Sequence, residues 1–404
     1  MNLASLPLLL HSLFQIHVLS TPANFLLIPV FSYVVFPLVL IGVGVGTWWP
    51  LIAQGCNTGL TWFGALTNWL GSLPGLLTIG RWPTILTWLC LLLTLILVDQ
   101  TTWRGRRRYL RLLCCCYGLG MVALHYPLDG EVSFLDIGQG DSVLVRTPFN
   151  RHVSLIDTGG HLTFRKPQWA QSETGSATVT RVTVNYLHSR GITTIDDVNC
   201  SHQDADHIGD VGVLLQQMRV KRLTIPAGMR MSRGFQTKIA PYLGRTTVLE
   251  LTAGQHIPNF PFTVYHPFHA GTGENADSVV LGTIQQGTRF LFMGDLDRAG
   301  ERQVIEQYPT LQTDVLKVGH HGSDTASDPE FITHVRPKFG IISAGRKNRY
   351  GHPKAQTLMT LANHHVTAVS TADVGMISYT YLWWERVGHW QTMLPVTTPQ
   401  AGSP

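Results

Sequence analysis

The stretch Ser201-His202-Gln203-Asp204-Ala205-Asp206-His207 follows the apolar run Ile195 to Cys200 and reads as a loop at the end of a strand. It sets two imidazoles and two carboxylates within six consecutive residues, His202 to His207. Carboxylates this close repel and raise one another's pKa. A divalent cation turns that repulsion into coordination by hard oxygens and borderline nitrogens, so the pattern points to metal chelation. A solvated polar loop is the plainer alternative, and it leaves the pattern without a cause.

Working outward, short strands begin at Gly130: Val132 to Ile137, Ser142 to Arg146 and His152 to Asp157, joined by glycine-containing turns. Helix-like stretches then alternate with strands at Thr178 to Arg190, Ile195 to Cys200, Ile208 to Gln217 and Lys221 to Ile225. A second alternation starts near Phe262 and runs through Ser278 to Ile284, Arg289 to Met293, Arg298 to Tyr308, Asp314 to Val318 and Phe339 to Ser343. Two rounds of strand and helix fit two sheets sandwiched between helices.

The first quarter differs in class. Of 55 charged residues only Arg81 precedes Asp99, and seven of the eleven tryptophans precede Arg104. Both biases suit a segment in lipid. Ala23 to Gly46 is long enough to span a bilayer, with Pro29 and Pro37 expected to kink it. Thr84 to Val98, extensible to Thr102, and Tyr109 to Tyr126 are two further candidate spans, each with a buried soluble helix as its alternative. Trp62, Leu66, Trp69, Leu70 and Leu73 recur at helical spacing and suit a helix lying in the interface or a short re-entrant one. Arg104, Arg106, Arg107 and Arg108 place the linker between the last two spans in the cytoplasm by the positive-inside rule. If Tyr109 to Tyr126 crosses once, everything from Leu128 onward lies on the outer face. If it only dips into the interface, the soluble part stays inside.

A net charge of +5 permits nucleic-acid binding without demonstrating it. The six cysteines show neither a disulfide framework nor a CxxC zinc pattern, and Cys200 alone falls in the soluble part.

The His-x-Asp-x-Asp-His loop, Phe292-Met293-Gly294-Asp295 and Lys317-Val318-Gly319-His320-His321-Gly322-Ser323 together resemble the metallo-β-lactamase superfamily. More specifically, Leu135-Asp136-Ile137-Gly138-Gln139-Gly140-Asp141-Ser142, Ile156-Asp157-Thr158-Gly159-Gly160, Asn275 with Ser278, and Asn348-Arg349-Tyr350-Gly351-His352-Pro353 resemble ComEC-type competence proteins, membrane channels for transforming DNA. Leu6 to Val45 is similar to the end of that family's membrane domain. The resemblance implies the C-terminal portion of such a protein: a membrane α-helical segment over residues 1–127, an α/β metallo-β-lactamase fold (an αβ/βα four-layer sandwich) over 128–393, and a disordered tail over 394–404.

It further implies one or two divalent metal ions, Mn²⁺ or Zn²⁺, held by His202, Asp204, Asp206, His207, Asp295 and His320 or His321, with His320 preferred. Asp204 stands where the superfamily has a second His, which shifts the site toward oxygen ligation. Asp295 resembles the carboxylate that bridges both metals; the superfamily's separate His between the loop and that residue has no clear counterpart, since His256, His266 and His269 lie in no recognisable motif, and Asn275 or Ser278 would stand nearby instead. Two ions about 3.5–4 Å apart suit phosphodiester hydrolysis. Asp206 would double as proton acceptor, and His352 and Ser323 would contact phosphate. Asp136, Gln139, Asp141 and Asp157 would orient ligands or simply cap turns. Arg346, Lys347 and Arg349 would hold a DNA backbone or form a solvated surface.

The function implied is a membrane-anchored nuclease of the DNA-uptake apparatus, multi-pass in the cell membrane with its soluble domain outside. It would hydrolyse one incoming strand while the other is transported. Its partners would be single-stranded DNA, membrane lipid, other competence proteins, an N-terminal portion and a second copy in a homo-oligomer. Two alternatives stay open: an inactive component that guides DNA, and a hydrolase of another class such as a lactonase or thioesterase.

Overall fold

The computed structural model describes residues 2–46, 48–160, 177–346 and 348–395. Lys347 and residues 396–404, most of the expected tail, lie outside the described residues. The chain divides into two compact units. One comprises the N-terminal 124 residues with the segment 188–191, and the other the remainder.

The first unit is built from five helices: α1 (Asn2–Leu13), α2 (Ser20–Val45), α3 (Pro50–Ser72), α4 (Thr84–Asp99) and α5 (Trp103–His125). A two-stranded antiparallel ribbon, β1 (Gln15–His17) with β2 (Leu76–Thr78), ties Ile16 to Leu77. Among the described residues α2 is the one helix long and apolar enough to cross a membrane. A π-helical turn, Phe31–Val35, interrupts it between Pro29 and Pro37, where the missing N–H of proline disturbs the regular ladder. The apolar α4, at 16 residues, falls short of a full crossing. The expected stripe of Trp62, Leu66 and Trp69 lies exposed along α3.

The second unit is a sandwich of two sheets. The larger one has the order β16-β15-β3-β4-β5-β6-β7-β8, made of β3 (Asp129–Phe134), β4 (Val143–Arg146), β5 (Val153–Ile156), β6 (Thr194–Asn199), β7 (Arg219–Pro226), β8 (Thr247–Leu251), β15 (Ile377–Leu382) and β16 (His389–Thr392). The smaller has the order β14-β13-β12-β11-β10-β9, made of β9 (Thr263–His266), β10 (Val280–Gln285), β11 (Thr288–Phe292), β12 (Val315–Lys317), β13 (Phe339–Ile342) and β14 (Thr367–Ser370).

Strand alternation explains the layers. Val143 and Val145 point to one face of β4 and Leu144 to the other. The first pair joins Val132, Phe134, Leu281, Phe290, Phe292 and Val315 in a core between the two sheets. Leu144 joins Leu155, Val198, Leu214 and Leu223 under the helices of the larger sheet. Leu291, Leu316, Val304 and Phe331 fill the equivalent space on the smaller one. Three cores between four layers give the αβ/βα sandwich.

Strands β5 to β8 run parallel, as do β11 to β14. The carboxyl ends of parallel strands open into loops, and the candidate residues sit there. Asp157 follows β5, the His202 loop follows β6, Asp295 follows β11 and the His320-His321 pair follows β12. The helix expected from Ile208 to Gln217 is two pieces, Ala205–Ile208 and Val211–Gln217. Asp210 lies at the break. Its N–H donates to Gly159 O and its carboxylate accepts from the Val179 N–H, so it ties loops together.

Candidate metal centre

The loop after β6 is pressed against the turn after β3. At Gly140, φ is +119°, and a Cβ there would stand 2.1 Å from Asp206 O, so only glycine allows the approach. The Asp141 N–H then donates to that same carbonyl. Three non-glycine residues beside the loop adopt left-handed backbone: Asp157, His320 and His321, with φ of 57°, 49° and 54°. Each such residue costs about 1–3 kcal/mol.

Asp295 is the hub. Its carboxylate lies 3.2 Å from His207 Nε2, 3.6 Å from His320 Nε2, 3.7 Å from His321 Nε2 and 3.9 Å from His202 Nε2. Asp206 Oδ2 lies 3.4 Å from His321 Nε2, and Asp204 Oδ2 lies 3.7 Å from His202 Nε2. Asp141, His207, Asp295 and His321 bring one ligand atom each within 4.8 Å of one another, and all four residues are buried.

The hydrogen-bond network assigns the tautomer of each ring. His207 Nδ1 is 2.8 Å from an Asp157 oxygen and His321 Nδ1 is 3.0 Å from Ser343 O. A carboxylate and a carbonyl only accept, so both Nδ1 atoms carry hydrogen. The Ser201 hydroxyl donates to Asp157 at 2.7 Å, which leaves its oxygen to accept from His202 Nδ1 at 2.9 Å. A similar relay runs from His320 Nδ1 to Thr325 Oγ1, to Ser323 Oγ and on to Asp324. In the neutral rings all four Nε2 lone pairs therefore face the Asp295 carboxylate. His207 Nε2 and His321 Nε2 stand 3.2 Å apart, a spacing that calls for a shared proton or a cation.

Protonation responds to this crowding. Burial lowers His207, but Asp295 and Asp157 outweigh it and hold the ring well above its ordinary value. Burial also opposes charge on His321, yet Asp295 and Asp141 raise it to about 9. His320 is lowered by burial, which outweighs the opposing pull of Asp295. Burial raises Asp295, Asp206 and Asp141, and their cationic neighbours overcome it: the imidazoles hold Asp295 and Asp206 low, and Lys317 leads for Asp141. Asp204 is lowered by the neighbouring His202 imidazole. Protons thus settle on the nitrogens that a cation would take. His202 Nε2, Asp295 Oδ1 and Asp141 Oδ1 are buried without a hydrogen-bond partner. Buried orphan atoms of ligand type, four aligned imidazoles and a carboxylate hub fit a divalent ion.

Residues 135–346 match the Metallo-beta-lactamase superfamily, slightly over half of the chain. The chain belongs to that superfamily. Residues 1–105 match the Competence protein family, so a competence-family region and a metallo-β-lactamase domain share one chain, as in ComEC-type competence proteins. The chain is 31% identical to ComE operon protein 3 of Bacillus subtilis over 98% of its own length and 52% of that protein. It is 27% identical to Competence protein ComA of Neisseria gonorrhoeae over 94% of itself and 50% of that protein. The chain therefore spans about half the length of these curated relatives. Among solved structures, the metallo-β-lactamase fold protein YhfI from Bacillus subtilis aligns at 13% identity with a TM-score of 0.38, covering 60% of this chain and 95% of that one.

Within the metallo-β-lactamase domain the other expected residues have definite places. Both His320 and His321 reach Asp295; His321 also reaches Asp206 and is buried, whereas His320 is partly exposed. Asp157 bonds His207 and Ser201. Asp136 accepts from the Gly138 N–H within its own turn. Both side-chain polar atoms of Gln139 are buried without a partner. Ser278 Oγ accepts from the Asp295 N–H, and Asn275 lies in the preceding 3₁₀ turn, Asn275–Asp277. His266 is turned to Ser278 O, and His256 and His269 are exposed. Ser323 spends its hydroxyl on Asp324 and Thr325 in the relay. His352 lies with its ring 5.8 Å from His320 and 6.4 Å from His321, and its buried Nδ1 has no partner. Arg346 donates to Ala372 O and Arg349 lies over Tyr350, both exposed. Sequence reasoning gave no role to Lys317, whose buried ammonium meets Asp141 at 2.6 Å, or to Ser201. A lysine inside an apolar strand was the available signal for the first.

Proposed function

We propose that this chain is a membrane-anchored, metal-dependent nuclease of a DNA-uptake apparatus, hydrolysing one incoming strand as the other is transported. The observation that carries the reading is the set of four Nε2 lone pairs around the Asp295 carboxylate, in a chain that also matches the competence family. Residues His202, Asp204, Asp206, His207, Asp295, His320 and His321 would hold one or two divalent ions, Mn²⁺ or Zn²⁺. A bound ion supplies a Lewis acid that draws charge from phosphoryl oxygens. Asp206, kept ionised beside His321, accepts the proton of the attacking water. His352 is pushed down to about 4 by burial and by the charges of His321 and His320. It stays neutral near pH 7, and its uncommitted Nδ1 suits a directional bond to phosphate. Arg346 and Arg349 supply positive charge to the strand.

In this reading residues 1–127 form the membrane region and 128–393 the hydrolase outside the cytoplasm, with lipid, other competence proteins and further copies of the chain as partners. The full chain in detergent, given single-stranded DNA with Mn²⁺, Zn²⁺ or Mg²⁺, is expected to cleave it, and Asp206→Ala to abolish cleavage. A folded, metal-loaded protein that cleaves no strand would move the assignment to a DNA-guiding role. That second reading draws on the separate imidazole the superfamily pattern has: among the described residues the close ligand-type group holds His207 and His321, and not His256, His266 or His269.

A further inference from the structure

We propose that Tyr350, capped by the Arg349 guanidinium, is a nucleobase-stacking subsite beside the metal centre, seating the base next to the phosphodiester to be cut. It rests on the nuclease reading and adds how a single strand would be recognised.

The subsite belongs to a loop held in one shape. The Asn348 side chain donates to Gly345 O and His352 O, both at 2.7 Å, and accepts from the His352 N–H at 2.8 Å. Gly351 turns the chain with φ of +66°. This clamp aligns rings from different positions. Tyr350 stacks on His352 with planes 24° apart and centroids 5.7 Å apart. His352 stacks on His321 at 27° and 6.4 Å. Planar groups thus run without a break from an exposed tyrosine to an imidazole beside Asp206 and Asp295.

The outer end of that run is open to solvent, since Tyr350 is 40% exposed. Arg349 lies over it with its guanidinium carbon 4.8 Å from the ring centroid, donating to the phenol oxygen at 2.7 Å. A planar cation on a tyrosine face occupies the place a nucleobase takes. A base entering there displaces the guanidinium or stacks on it, and a displaced guanidinium can turn to a phosphate. Lys354, bonded to Tyr350 O, and exposed Arg346 add positive charge to the same loop region. In a duplex both faces of each base are covered, so the subsite selects an unpaired strand.

The test is binding of the full chain in detergent to two fluorescent oligonucleotides of equal length. One carries bases, the other is abasic throughout, and Ca²⁺ replaces Mn²⁺ to suppress turnover. Wild-type protein is expected to prefer the base-bearing strand. Tyr350→Ala should weaken that binding by about tenfold and leave the abasic strand within roughly twofold, while Tyr350→Phe and Tyr350→Trp keep the preference. Equal loss on both strands, no loss on either, or a wild type that binds neither strand or does not discriminate overturns the proposal. Cleavage in Mn²⁺ is scored separately. Discrimination in binding without cleavage would remove the nuclease reading and leave the subsite standing.

Discussion

Two buried clusters of charge in the same domain are built on opposite plans. Around Arg146 each described contact joins a donor to an acceptor. Its guanidinium meets Glu131 at 2.8 Å and Asp129 at 2.6 Å and also donates to Asp129 O and Asn150 Oδ1. The other Glu131 oxygen accepts from Tyr186 and Ser133. Around Asp295, four imidazole Nε2 atoms converge on one carboxylate, and buried polar atoms stand without a hydrogen-bond partner. A cluster that completes itself needs nothing from outside, whereas one that cannot is arranged for something it binds.

The contrast can be broken most directly at His207. His207→Ala is expected to lower DNA cleavage by roughly a thousandfold, about 4 kcal/mol, and to lose metal measured by equilibrium dialysis. A variant that keeps its metal and its rate would make the Asp295 cluster structural like the other.

The reciprocal variant tests the self-contained cluster. Glu131→Ala takes one of two carboxylates from the buried Arg146, leaving Asp129, and should cost about 3 kcal/mol in denaturant unfolding, with no rescue by added metal. A cost below about 1 kcal/mol would show that the two clusters do not differ in this way.

Glu301 is an intermediate case. It is buried and, among the described residues, accepts only the backbone N–H groups of Ser327 and Asp328. Burial raises it to about 8 from an ordinary 4.5, against the pull of those two bonds. The folded protein then keeps a proton that the unfolded chain has released. The resulting stability is fully present below the unfolded value, falls as pH climbs toward about 8 and levels above it. Glu301→Gln should remove that slope, on the order of 5 kcal/mol across the window, in unfolding midpoints compared at the two ends. An unchanged slope assigns the pH dependence elsewhere.

The smallest effect sharpens the comparison at Asp157. Asparagine tolerates its left-handed backbone but presents an amide where His207 needs an acceptor. Asp157→Asn should weaken metal binding by about 10–100-fold by titration and change stability far less than Glu131→Ala. A stability loss as large as that of Glu131→Ala would place Asp157 with the self-contained cluster.

Local pattern made much of this legible. Alternation located strands β3 to β7 and β10 to β13 to within a few residues, and the His-Asp spacing located the loop after β6. The break at Gly209 and Asp210 stayed hidden because its cause is a bond from Val179, some thirty residues earlier in the chain. Strands β15 and β16 were missed for a similar reason. They rejoin the first sheet beside β3, with Tyr379 opposite Val132, a pairing across most of the domain that no local signal encodes.

By itself, the sequence determined the class of each part: an apolar first quarter, then alternating strands and helices, with ligand-type residues after strand ends. Periodicity and composition are local properties, so they can be read without coordinates. Only the tertiary structure decided which nitrogen each histidine presents. It also decided that Tyr350 and His352 stack toward the centre. Those depend on hydrogen bonds and ring contacts between segments far apart in the chain, which exist only once the sheets have packed.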